Sequence, residues 1–495
     1  MNYRMSATIA LLLTAILTAC NSSSNDATQI ENISRPDAAN QDLRPNIVLY
    51  VADDHGTDAF GVYGNPIIDT PNLDALAAEG ILFTHAFGTS ASCAVTRSVL
   101  MTGLQNHKNG MYGHMHEYNH FSSFSNVRSL PVMLSEAGYR TARIGKFHLA
   151  PEQVYAFGEV LSPGTVNDMA SIGRSPIEMA DATKDFISLN HGKPFFLLMA
   201  SDDPHRGLPF ELGDQPNAFG NKPEGYPGIK KISYDPKHVI VPPFLPDIPE
   251  TRLEMAQYYE SVTRLDQGVG YMIKLLKEAG VYDNTIFIYL SDNGIAMPGA
   301  KTTQYDPGLR LPLVIRTPNI EKPGFVQNAM ISWVDITPTI LDFANATPDD
   351  AVFHGKSFKS ILETENPPGW DEVYGSHSFH ELTMYYPMRT VRTRKHKLIW
   401  NIAYRLEFPF AQDLTAAITW RGTIKRNLTH YGKRPVHKYL FRDQYELYDL
   451  ETDPDEANNL ANEPAYAQIK SELLAKIREF QTQTEDPWLH KWDYE

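Results

Sequence analysis

The chain has 495 residues, 42% hydrophobic, 11% aromatic and 21% charged, with no long low-complexity tract. That length exceeds what one hydrophobic core comfortably serves, so two domains, or one large α/β domain with an appendage, are expected. A formal charge of −15 and a pI near 5.6 argue against a nucleic-acid partner, and any polyanionic ligand must be held by a local cluster of Lys, Arg and His.

The chain begins with a targeting pattern. Arg4 precedes the apolar stretch Ala7–Ala19, which at thirteen residues is too short to span a bilayer. Leu17-Thr18-Ala19-Cys20 fits a bacterial lipoprotein box, with cleavage before Cys20 and lipidation of its sulfur. Residues 1–20 therefore read as a lipoprotein signal peptide. The protein is expected to be exported and lipid-anchored to a bacterial membrane, in the periplasm or at the cell surface. Residues 21–43, rich in Asn, Ser and Asp, read as a flexible tether.

Residues 44–369 read as one α/β domain. Pro45–Ala52 is an apolar, β-branched run typical of a fully buried strand, and it ends on Asp53-Asp54. Thr70 to Gly80 predicts a short helix with Thr at the N-cap, Pro at N1 and a terminal Gly. Cys93 stands where a loop enters a helix, a position that depresses a thiol pKa, and Arg97 one turn on adds positive charge. With Cys20 assigned to lipidation, Cys93 has no disulfide partner within the chain. Strands are predicted over Tyr139–Ile144, followed by Lys146 and His148, and over Pro194–Ala200, followed by His205 and Arg206. Residues 207–249, rich in Pro and Gly, are too long for a simple connector and are expected to frame a pocket. Thr251–Gly280 has helical periodicity, with Met255, Tyr258, Tyr259, Val262 and Leu265 on an inner stripe.

A second buried strand, Thr285–Ser291, ends on Asp292-Asn293, and Val334–Ala344 predicts another helix. Strands alternating with helices predict a doubly wound, mostly parallel sheet flanked by helices. Residues 370–495 read as a smaller α+β domain carrying an antiparallel sheet, with strands at Val391–Ile402 and Tyr445–Leu450 and a closing helix over Glu463–Thr482.

In open α/β sheets ligands sit just past the carboxyl ends of strands. If the two acid-tipped strands are parallel neighbours, Asp53, Asp54, Asp292 and Asn293 meet at one sheet edge. Three carboxylates and an amide form an all-oxygen set for a hard divalent cation, with Ca²⁺ the first choice.

The pattern Cys93-x-x-x-Arg97-x-x-Leu100-x-Thr102-Gly103 resembles the type I sulfatases of the alkaline-phosphatase superfamily. The likeness runs in collinear order over roughly residues 44–490 and is strongest to the heparan N-sulfatase (sulfamidase) branch. It is carried by Gly103 to His114, by Asp203-Pro204-His205-Arg206, by Leu265 to Gly270, by Ser291 to Ile295, by Thr383 to Arg389 and by Tyr445 to Asp449.

The resemblance implies that Cys93 is oxidised to formylglycine (3-oxoalanine) by a formylglycine-generating enzyme. One hydroxyl of the hydrated aldehyde then attacks sulfur, and the other drives release of sulfate. It implies Ca²⁺ held by Asp53, Asp54, Asp292, Asn293 and the modified Cys93, with Arg97 adding positive charge at the nucleophile. Lys146 and Lys301 would contact sulfate, His148 would accept the hydroxyl proton, and His205 would be the general acid toward the leaving group. Arg206, His380, Glu381, Met384 and Arg389 would line the substrate pocket.

The substrate class implied is a sulfated glycan, either heparan-type or an algal polysaccharide such as ulvan. One departure stands out: Val95 occupies the position where the modifying machinery reads Pro or Ala. Two alternatives accompany the sulfatase reading. One is a phosphodiesterase or phosphonate monoester hydrolase of the same superfamily. The other is a catalytically inactive glycan-binding lipoprotein.

Overall fold

The computed structural model describes residues 42–164, 170–189, 192–207 and 218–494. The signal and lipobox readings and residues 21–41 of the tether lie outside the described residues, as do residues 208–217 of the Pro/Gly-rich stretch. No helix among the described residues is long and apolar enough to cross a membrane.

An eight-stranded sheet organises the chain. At its centre Asn46–Ala52 lies between Phe195–Ala200 and Thr285–Ser291, parallel to both. Arg140–Gly145 continues the parallel set beside Phe195–Ala200, and Glu159–Pro163 closes that edge. Alternate side chains of the central strand enter opposite cores. Ile47, Leu49 and Val51 pack with Phe196, Leu198 and Ile288 on one face, while Val48, Tyr50 and Ala52 pack with Leu197, Met199 and Tyr289 on the other. Both faces are covered, which is why these strands read as unbroken apolar runs.

On the far side the sheet departs from all-parallel. Leu313–Arg316 runs antiparallel to both Thr285–Ser291 and Ile81–Phe83.

The predicted helices form with small shifts of boundary. The first spans Pro71–Glu79 with Thr70 at the N-cap position. The Thr70 hydroxyl does not cap the helix, however; it accepts the Gly61 N–H at 2.9 Å. The 30-residue helix Pro249–Glu278 buries the whole predicted stripe from Met255 to Leu265. Its Asp266 accepts from the Leu73 N–H at 2.8 Å and from the Asn72 side chain at 2.7 Å, pinning the first helix against it.

The antiparallel sheet begins at Glu372. Its four strands, in sheet order, are Glu372–His377, Met388–Thr393, His396–Asn401 and Tyr445–Asp449. The single strand expected over Val391–Ile402 is corrected to two. The polar run Arg394-Lys395 turns the chain, and Thr393 Oγ1 closes the turn by accepting the His396 N–H at 3.0 Å. The helix Ala467–Gln483 packs Leu473 and Ile477 onto this sheet beside Val391, Leu398 and Leu447.

Candidate active site

The parallel register fixes the heart of the site. Ala52 pairs with Ser291, so Asp53 and Asp292 leave the sheet side by side. The Asp292 N–H donates to the Ala52 carbonyl at 3.1 Å, and the Asp54 N–H donates to Asp292 Oδ1 at 3.1 Å. Asp54 turns back into the site through a left-handed backbone at φ 68°, and His148 does the same at φ 60°. Such strain concentrates where a side chain must be aimed.

Asp53, Asp54, Asp292 and Asn293 are all fully buried. Asn293 Nδ2 donates to Asp54 Oδ1, while Asn293 Oδ1 and Asp53 Oδ1 find no hydrogen-bond partner among the described residues. Burial and then the neighbouring acids push Asp54 up to about 7, against the pull of Lys301. Burial and Asp53 push Asp292 up to about 6. Asp53 is held well below the usual carboxylate range: burial works against its charge, but Lys146 and Arg97 outweigh it. Buried oxygens without donors, in a set of crowded carboxylates, are the signature of a hard-cation site. Ligand atoms of Asp53, Asp54, Cys93 and His205 lie within 4.8 Å of one another. Asp292 is more heavily engaged, since its Oδ2 accepts from Arg97 Nε at 2.9 Å.

Cys93 opens the fully buried helix Cys93–Thr102, with Ser92 at the N-cap position and the Thr96 N–H donating to the Ser92 carbonyl at 2.8 Å. Its Sγ lies 3.8 Å from Asp54 Oδ1. The expected depression of its pKa is corrected. Burial pushes the thiol well up, and Asp292 and Asp53 add to this against the pull of Lys301. With no cation beside it, the buried position thus opposes the thiolate.

Lys146, Lys301, His205 and His148 close around it. Lys146 pairs with Asp53 Oδ2, and Arg97 Nη1 donates to the Lys146 carbonyl at 3.0 Å. Lys301 Nζ lies 3.0 Å from Asp54 Oδ2, 2.9 Å from His205 Nε2 and 2.9 Å from Asp413 Oδ2. His205 Nδ1 lies 2.6 Å from the Arg206 carbonyl and so carries the proton there, which leaves Nε2 to accept from Lys301. Burial, then Lys301 and Lys146, hold the ring neutral, far below the usual histidine range. His148 is held neutral by burial and Lys146, and its Nε2 lies 2.7 Å from His116 Nδ1.

These groups line a cleft whose wall also carries His114, His116, Glu117, His380, Glu381 and Asp413. His380 and Glu381 thus stand where the sequence reading put them. Three others do not. Arg206 is buried, donating to Glu254 at 2.7 Å and to the Ala296 carbonyl at 3.0 Å, because Glu254 on the long helix needs a counter-charge. Arg389 is fully buried in a two-pronged pair with Asp486 at 2.5 and 2.9 Å. Met384 packs among Ala296, Ala411 and Leu414. Asp413, His114 and His116 escaped the sequence reading. The His114-Met115-His116 alternation was the only local hint for the two histidines, and Asp413 sits in a stretch without distinguishing pattern.

Comparison with known proteins places this geometry in context. A family model described as Sulfatase matches residues 45–346, and one described as N-sulphoglucosamine sulphohydrolase, C-terminal, matches residues 300–410. The human protein named N-sulphoglucosamine sulphohydrolase is 39% identical over 460 residues, covering 90% of this chain and 91% of its own. An ulvan-active sulfatase of Formosa agariphila is 31% identical over 442 residues, covering 87% of this chain and 78% of its own. A solved structure in complex with its substrate D-glucosamine-2-N,6-O-disulfate superposes with a TM-score of 0.64 at 24% identity, covering 90% of this chain and 99% of that one.

Proposed function

Because this chain belongs to the sulfatase family, we propose that it removes sulfate ester or sulfamate groups from oligosaccharides derived from sulfated polysaccharides. The protein is a sulfuric ester hydrolase, and the family placement does not favour the phosphodiesterase or binding-protein alternatives. The observation that carries the finer reading is the position of Cys93. It opens a buried helix beside a carboxylate cluster and under Lys146, His148, His205 and Lys301. The human relative's name points to N-sulfated glucosamine and the Formosa relative's to ulvan, so both substrate classes belong in the first assay.

In this reading Cys93 is converted to formylglycine by a generating enzyme that accepts Val95 in its motif. Asp53, Asp54, Asp292 and Asn293 would hold Ca²⁺, for which the buried Asp53 Oδ1 and Asn293 Oδ1, both without donors, are suited. When bound, the cation supplies positive charge that lowers the pKa of an adjacent hydroxyl and stabilises developing negative charge. Arg97 positions two of the acids, through its Asp292 hydrogen bond and a 3.6 Å approach to Asp53. Lys146 and Lys301 neutralise the sulfate oxygens, and His148 takes the proton of the attacking hydroxyl. His205 and Lys301 together deliver a proton to the departing oxygen or nitrogen. We also propose that residues 1–20 direct export and that Cys20 anchors the chain to a membrane by lipid.

Sulfate release measured by ion chromatography tests the function. The substrates are N-sulfated glucosamine, heparan oligosaccharides and ulvan oligosaccharides, each with Ca²⁺ and with formylglycine-converted protein. Release from at least one of them is expected. No release from any, with Cys93 fully converted, would overturn the substrate assignment.

A further inference from the structure

One wall of the cleft is built from imidazoles. His114, His116 and His148 each offer a ring nitrogen, and these lie within 4.8 Å of one another. The rings of His114 and His148 stack with centroids 4.6 Å apart, and those of His116 and His148 lie 4.7 Å apart. His114 and His148 are buried, and the Nδ1 of each finds no hydrogen-bond partner among the described residues. A buried polar nitrogen without a partner costs about 1–3 kcal/mol; on His148 that atom is the one free to take the nucleophile's proton, but on His114 it needs an explanation.

We propose that His114, His116 and His148 form a transition-metal site, with Zn²⁺ the favoured ion, on the wall of the cleft and apart from the oxygen-rich calcium centre. The donor set selects the metal. Three neutral imidazoles suit Zn²⁺, Cu²⁺ or Ni²⁺ and are poor ligands for Ca²⁺, which takes oxygen. Three protein ligands leave a fourth position open toward the cleft.

The spacing of His116 and His148 needs little adjustment, while the stacked His114 and His148 rings must turn for both lone pairs to meet one ion. Two nitrogens on one tetrahedral Zn²⁺ at 2.0–2.1 Å stand roughly 3.3–3.4 Å apart. The 2.7 Å contact between His116 Nδ1 and His148 Nε2 would therefore open by less than an ångström. His114 is already oriented in the way metal-binding histidines are, since its other nitrogen bonds outward. Its Nε2 lies 2.9 Å from His380 Nε2, and His380 Nδ1 lies 2.9 Å from Ser92 Oγ. If His380 Nδ1–H donates to Ser92, His380 Nε2 accepts from His114, and His114 Nδ1 is left as a bare acceptor. Burial keeps all three rings deprotonated near neutrality, as metal binding requires. Lys146 and Lys301 oppose a second cation nearby, so affinity in the micromolar range is expected, not that of a structural zinc.

Occupation has a functional consequence. His148 is the residue assigned to take the nucleophile's proton, and a metal on its Nε2 would lower the basicity of the remaining Nδ1 and narrow the cleft. Zn²⁺ is therefore an inhibitor built on this chain's own histidines.

The test uses the full chain loaded with Ca²⁺ and reads metal binding without substrate. Equilibrium dialysis against micromolar Zn²⁺ should show one ion bound per chain. Co²⁺ in its place should give the intense visible absorption of a four-coordinate site. H114N and H116Q, each confirmed folded by its melting curve, should weaken Zn²⁺ at least tenfold. H490N, on an exposed histidine far along the chain, should leave that ion in place. Zn²⁺ binding that survives both cleft variants, or no binding at 100 μM, would overturn the proposal. Because no turnover is read, its failure is separate from failure of the sulfatase substrate assignment.

Discussion

Lys301 Nζ donates to His205 Nε2 at 2.9 Å while His205 Nδ1 is engaged with the Arg206 carbonyl, so the proton facing the cleft belongs to the lysine. A neutral His205 held this way cannot act alone as the acid. It relays, or orients, the proton that Lys301 carries. Lys301 keeps its charge because Asp413 and Asp54 flank it, outweighing the burial that opposes it.

That pairing predicts a shared role. His205→Ala and Lys301→Gln should each lower kcat by about 10²–10⁴-fold on substrates with poor leaving groups, the range of general acid catalysis. Aryl sulfates, which leave without help, should lose far less from His205→Ala. The double variant should lose little more than either single one, because the two act as a unit. Equal losses on both substrate types, or fully additive losses, would separate the residues and end the relay.

Calcium dependence follows from the crowded acids, and its sign can be worked out. Without the cation, Asp54 and Asp292 are raised to about 7 and about 6 in the folded chain. The unfolded chain loses these protons first, near the ordinary carboxylate range of about 4, so their contribution to stability falls as pH rises from about 4 to 7. Bound Ca²⁺ removes that penalty, and below this window protons compete with it. The rise in melting temperature produced by Ca²⁺ should therefore be larger at pH 7.5 than at pH 5. Comparing runs with and without Ca²⁺ at each pH cancels the many buried histidines, which titrate in the opposite sense. Asp292→Ala should abolish both the shift and the activity; an unchanged shift would remove Asp292 from the ligand set.

Cys93 carries the nucleophile only if it is modified. Peptide mass spectrometry over residues 88–110 of native-host protein should show a loss of about 18 Da relative to the thiol, as conversion of the side chain to an aldehyde requires. In a heterologous host Val95→Pro should raise the converted fraction, and activity should rise in proportion. Conversion that rises without activity would exclude Cys93 as the nucleophile.

Arg389 gives a stability prediction of a different kind. Its guanidinium and Asp486 are both buried and pair through two hydrogen bonds. Arg389→Ala leaves a buried carboxylate uncompensated and should cost about 3–5 kcal/mol. The loss should appear as a lower denaturation midpoint, with KM of the surviving folded protein unchanged. A raised KM with unchanged stability would return Arg389 to the pocket.

The sequence alone determined two buried strands and the acids at their ends; that they are parallel neighbours at the sheet's centre is the structure's finding. A β-branched run covered on both faces is recognisable without context, and parallel neighbours that end in register must deliver Asp53 and Asp292 to one point. Lys146, His148 and His205 were legible for the same reason, since each follows a strand of that set directly. Only the tertiary structure decided which polar residues elsewhere face the cleft. Arg206 and Arg389 carry the right charge in suggestive motifs, yet buried Glu254 and Asp486 claim them. Asp413, His114 and His116 come from segments with little periodicity and fold over the site. Periodicity records whether a side chain is buried, because burial repeats with the local geometry of helix or strand. It does not record which distant charge a side chain will meet, because that depends on how segments hundreds of residues apart pack together.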